Sequence, residues 1–109
     1  MTGFDDRERA LEAKFALGEE LKFRALARRN RMFAERVAAK LGLHGAALAD
    51  YVRDALKVAM RSGDANALVE KARVDLAARD VAVSVAELTT EIDALMAEAL
   101  TQINRGEQR

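Results

Sequence analysis

The sequence predicts an all-α fold, a four-helix bundle led by a mobile N-terminal helical arm, on three observations. The chain has 109 residues with no Pro and only 6 Gly, so few breakers interrupt it. Half of the residues are hydrophobic, 33% are charged and 5% are aromatic. Ala, Leu, Arg and Glu carry this composition, and all four are good helix formers. Apolar residues also recur at three- and four-residue steps, the period of a helix with one buried face. A chain of this length supports one core, hiding roughly 65% of the surface that the unfolded chain exposes, and is too short for two.

Breaks fall at Gly42 with Gly45, at Ser62-Gly63-Asp64 and around Asp80 to Ser84. They leave four helical segments whose short connections suit antiparallel neighbours. The first runs from about Asp5 to Leu41, with Gly18 its weak point. Phe23, Leu26, Phe33, Val37 and Leu41 form its core stripe, and Asn30 within that stripe is expected at the rim. Carried backward, the same phase collects Phe4, Leu11 and Phe15, but also Glu8, Glu19 and Lys22. A segment with so thin an apolar face gains little from burial against the entropy of ordering, so residues 1–18 are expected to be mobile in the free chain. The bundle then spans residues 19–105.

The second helix, about Ala46 to Arg61, offers Leu48, Tyr51, Val52, Ala55 and Ala59 with Leu56 beside them, and Gly63 is placed to close it in the left-handed conformation. Asp64 is the natural N-cap of the third, about Ala65 to Arg79, with the face Leu68, Ala72 and Leu76. Ser84 and Glu87 make an S-x-x-E capping box for the fourth. Its face is Leu88, Ile92, Leu95, Ala99 and Ile103. Val81, Val83 and Val85 alternate like a strand, yet with no pairing partner they read as an apolar connector. The tail 106–109 is expected to fray.

Eighteen basic and eighteen acidic residues give a net charge of zero, which argues against a polyanion-coating role or adhesion to a membrane surface. The distribution is uneven: residues 4–20 carry net −3, residues 22–40 net +6, and the remainder net −3. Cys is absent, which closes disulfide and thiolate chemistry. The opening MTGFDDRERA is unlike a signal peptide, and no apolar run approaches the roughly 20 residues of a membrane span. A cytoplasmic protein is expected.

A single His, His44 in a Gly-flanked turn, is a poor basis for catalysis or for a His-rich metal site. Asp5-Asp6 reads as charge at a helix N-terminus. Neither glycine-rich phosphate motif occurs. The basic run Lys22, Arg24, Arg28, Arg29, Arg31, Arg36 and Lys40 leaves two readings open: a solvated helix face, or a docking surface for an acidic partner, including the chain's own segment 4–20. Nucleic acid is disfavoured because aromatic interleaving and basic reinforcement elsewhere are missing.

The stretches FDDRERALEAKF (Phe4 to Phe15), EELKFRALARRNR (Glu19 to Arg31), KLGL (Lys40 to Leu43) and DLAARDVAVSVAEL (Asp75 to Leu88) together resemble the zeta subunit family. These are inhibitor proteins of the F-type ATP synthase of alphaproteobacteria. The chain departs from the family pattern at Gly18, where an acidic residue is usual, and at Arg36, where Trp is usual. The resemblance implies a non-enzymatic regulator whose N-terminal arm inserts between the alpha and beta subunits of the ATPase head and reaches the gamma subunit, stalling hydrolysis.

Carried onto this sequence, the arm's partner-binding residues are Phe4, Leu11 and Phe15 as apolar anchors, with Asp5, Arg7, Glu8, Arg9, Glu12 and Lys14 selecting orientation by charge. The resemblance further implies weak binding of ADP or ATP, for which no residue identifies a site, and no required cofactor or metal. A monomer when free, peripheral to the inner membrane through the synthase, completes the expectation. The rivals are an adenine-nucleotide-sensing helical module without strong inhibition, and a nucleic-acid binder using Lys22 to Lys40.

Overall fold

Four helices follow one another as α1 (Gly3–Lys40), α2 (Gly45–Ser62), α3 (Ala65–Ala77) and α4 (Val85–Asn104). The computed structural model describes the backbone of residues 3–106 and the side chains of residues 18–106. The expected fraying of the tail beyond Gly106, and every expectation placed on an arm side chain, lie outside the described residues.

α1 is the spine. It packs along α4 and α2, while α3 closes the bundle against α2 and α4 and touches α1 more lightly. The three connections are short, as antiparallel packing of successive helices requires. Phe33 and Val37 of α1, Leu68 and Leu76 of α3, and Leu88, Ile92 and Leu95 of α4 are fully buried, and Val52 and Ala55 join them from α2. Val81 and Val83 of the last connection also pack on this core, whereas Val85 is exposed at the start of α4.

A second, smaller cluster lies along the seam of α1 and α4, where Ala25 meets Ala99 and Ile103 under Leu21, Met32, Met96 and Leu100. Here the structure corrects the expected stripe. Phe23 is 66% exposed, and Ala25 is the buried residue of that turn. Lower on α1 the core draws on all four helices, but around Leu21 and Ala25 the buried cluster is made with α4, so the buried face rotates toward α4 and leaves Phe23 outside. Asn30 is half-buried, at the rim as expected.

The helix ends follow local chemistry. Asp64 takes an extended conformation and its Oδ1 accepts from Asn66 N at 2.8 Å, capping α3. Ser84 Oγ accepts from Glu87 N at 3.0 Å at the start of α4. Gly63, at φ 73°, closes α2. At the end of α1, Leu43 N donates to Ala38 O and Gly42 N to Ala39 O; the same pair of bonds recurs after α3, from Val81 N to Leu76 O and from Asp80 N to Ala77 O. Both are Schellman motifs. The second turns on Asp80 at φ 62°, which ends α3 at Ala77, two residues before the expected Arg79. Arg79 is thereby released to donate from Nη1 to the carbonyl of Leu41 at 2.8 Å, tying the end of α1 to the end of α3.

Candidate functional site

The expected partner-binding residues Phe4, Asp5, Arg7, Glu8, Arg9, Leu11, Glu12, Lys14 and Phe15 occupy the first turns of α1, whose backbone helix continues without a break through Gly18. Their side chains lie outside the described residues. Gly18, Glu19 and Glu20 are exposed, and Leu21 is the first described residue of α1 to pack on the bundle.

The basic run of α1 is divided between two environments. Its C-terminal members pair with α4: Lys40 Nζ lies 2.8 Å from Glu91 Oε2 and Arg36 Nη2 lies 3.5 Å from Glu98 Oε2. Arg28 reaches Gln102 Oε1 at 3.4 Å. Arg29 donates to Asn30 Oδ1 and is half-buried; burial lowers its pKa, against the opposing pull of Asp93. Part of the acidic counterpart of this run is therefore inside the molecule, on α4.

Arg24 and Arg31 have no hydrogen-bond or ion-pair partner among the described residues. With Ala27, Arg28 and Asn30 they form one wall of an open groove of about 620 Å³. The opposite wall is the last two turns of α2, Leu56, Ala59 and Met60, and Ile103 of α4 closes one side. Met60 is 83% exposed. The groove thus sets a row of guanidinium groups beside an apolar wall, chemistry suited to a ligand that carries negative charge and apolar surface together. The Arg row is visible in the sequence, but the groove is not. Met60, an apolar residue off the α2 stripe, was the available signal.

One further polar cluster ties α2 to α3. Tyr51 Oη donates to Asp75 Oδ2 at 2.8 Å, Lys71 Nζ reaches the same oxygen at 3.0 Å, and the Lys71 ammonium stands 4.9 Å from the Tyr51 ring centroid. Burial, then Asp75, push the Tyr51 phenol above its ordinary range. His44 is exposed and precedes α2 without a capping bond from its side chain. Among the described residues no group of three or more His, Cys, Asp or Glu is placed to hold a metal ion, and no helix is long and apolar enough to cross a membrane.

A bundle led by a helix far longer than the others, with an open cationic and apolar groove on that helix, defines a class of helical binding protein that works through the surfaces it presents. Within that class the particular family is given by sequence. The chain belongs to the ATPase inhibitor subunit zeta family, whose model matches residues 1–102. A member of an inhibitor-subunit family is a regulator of the ATP synthase with which it interacts, and not an enzyme. No curated protein and no solved structure matches the chain.

Proposed function

We propose that this chain holds back ATP hydrolysis by an F-type ATP synthase by inserting residues 1–18 between the alpha and beta subunits of the head and reaching the gamma subunit. The observation that carries the reading is the extent of the family match, which covers residues 1–102 and so takes in the arm as well as the bundle. In the inserted arm Phe4, Leu11 and Phe15 fill apolar pockets, while Asp5, Arg7, Glu8, Arg9, Glu12 and Lys14 fix orientation by charge. The bundle, residues 19–105, stays outside the crevice as a monomeric body too large to follow. The protein works in the cytoplasm, peripheral to the inner membrane through the synthase.

A peptide of residues 1–40 is expected to inhibit an alphaproteobacterial ATPase, and a photoreactive group at Phe15 to cross-link to alpha, beta or gamma. Labelling confined to other subunits contradicts the insertion. A second reading, weak binding of ADP or ATP, draws support from the groove, where Arg24 and Arg31 suit phosphate and the Leu56 to Met60 wall suits a base. Localised amide shifts there on adding ADP, without an effect on hydrolysis, favour it.

A further inference from the structure

The groove beside Arg24 and Arg31 is unoccupied by any described part of the chain, although these two cations have no partner among the described residues and Met60 beside them is exposed. We propose that residues 4–17 fold back at Gly18 and dock in this groove, so that the free chain exchanges between a straight α1 and a form that holds its own leading segment.

Register favours this docking. In an antiparallel helical hairpin, residues equally distant from the turn face one another. Asp5 and Arg31 each lie thirteen positions from Gly18, Glu8 and Arg28 each lie ten, and Glu12 and Arg24 each lie six. Three acids thus meet three bases. Arg24 and Arg31 supply the two new pairs, and Arg28, already bonded to Gln102, adds the third by exchange.

The faces of the segment and the groove also match. At about 100° per residue, Asp5, Glu8 and Glu12 fall in one stripe roughly 60° wide. Phe4, Leu11 and Phe15 fall in a neighbouring stripe roughly 40° wide. The groove has the same two-part chemistry, an Arg row on α1 and the apolar wall Leu56, Ala59 and Met60 on α2.

Gly18 supplies a hinge. Gly18, Glu19 and Glu20 are exposed, and a Cβ built at Gly18 meets nothing within 4 Å, so opening α1 there breaks no described packing. Residues 18–20 suffice for the two- to five-residue turn of a helical hairpin. Ion pairs at a surface groove are screened by salt, so the docked form gives way to the straight one as ionic strength rises. The docking is a property of the isolated chain; only its consequence, withholding the arm from the synthase, rests on the proposed function.

The test uses the full chain, whose lack of Cys allows a single nitroxide on Ala10→Cys. In a straight α1 the label stands about 31 Å from Arg31 at 1.5 Å per residue, too far for strong broadening there. Docking is expected to give at least about a twofold loss of amide intensity at Ala27, Arg31 and Met60, scaling with the docked population. That loss is expected to vanish in R24E/R31E and in high salt, and to return when D5R and E12R are added to R24E/R31E.

Broadening confined to the neighbours of Ala10 along α1 overturns the proposal. So does broadening of unlabelled, isotope-enriched chain by spin-labelled chain, which would place a second copy in the groove. The swapped variant keeps the test decisive if R24E/R31E alone loses helix. Hydrolysis assays separate the two claims: a docked arm whose release leaves hydrolysis unchanged supports the docking and refutes the inhibitory reading, whereas an inhibitory arm that never broadens the groove does the reverse.

Discussion

Replacing Phe33 and Phe23 by alanine, one at a time, sets the structure against simple periodicity. Both lie on the three- and four-residue pattern of α1, but Phe33 is fully buried in the main core and Phe23 is 66% exposed. Truncating a buried Phe removes its transfer free energy and leaves a cavity, which costs about 3–5 kcal/mol. A surface truncation is worth about 0.5 kcal/mol or less. Against a total stability of about 5–15 kcal/mol for a domain of this size, the first is a large fraction and the second is negligible.

With a urea dependence of about 2 kcal/mol per molar, Phe33→Ala is expected to lower the unfolding midpoint by about 1.5–2.5 M. The corresponding shift for Phe23→Ala is less than about 0.3 M. Circular dichroism at the helix band in a urea titration reads both. Equal shifts for the two variants would refute the rotation of the buried face toward α4 around Ala25.

Tyr51→Phe removes the bond to Asp75 and is expected to cost about 1–2 kcal/mol near neutral pH, read by urea titration. Because the folded state raises the Tyr51 pKa, the native protein holds that proton more tightly than the unfolded chain. The contribution is therefore full below about pH 10, the unfolded value, and falls as pH rises beyond it. The wild type should lose stability relative to Tyr51→Phe as pH rises above about 10, and parallel curves there would contradict the buried phenol. Arg79→Ala removes the donor to the Leu41 carbonyl and is expected to cost about 1 kcal/mol, seen as a fall of several degrees in Tm, while Arg79→Lys recovers part of the loss. An unchanged Tm in Arg79→Ala would remove the link between the ends of α1 and α3.

The helix ends were legible because each is fixed by local chemistry. Asp64, Ser84 and Gly63 act on backbone groups within a few residues, so sequence alone places them. The faces of α3 and α4 were legible too, since every member of each periodic stripe is buried. α1 was harder. Periodicity does not say where a long helix loses one of its neighbours, and so it put Phe23 inside and passed over Ala25, whose small side chain gives almost no signal.

The basic run of α1 was visible, but its destination was not. Pairing depends on the antiparallel register with α4, which sets Arg36 near Glu98 and Lys40 near Glu91 across more than fifty residues of chain. The end of α3 escaped because Asp80 adopts a left-handed conformation more usual for Gly or Asn. The groove escaped because it belongs to two helices at once, and the arm entered through resemblance to a family and not through periodicity.

In the proposed function the leading stretch inhibits and the bundle carries it. The most direct measurement compares full-length chain with residues 18–109 in a titration against the membrane-bound synthase of the source organism, following the rate of ATP hydrolysis. Full-length chain is expected to inhibit, while the truncated chain, with its helix content and urea midpoint retained, leaves the rate unchanged. Undiminished inhibition by residues 18–109 would contradict the account.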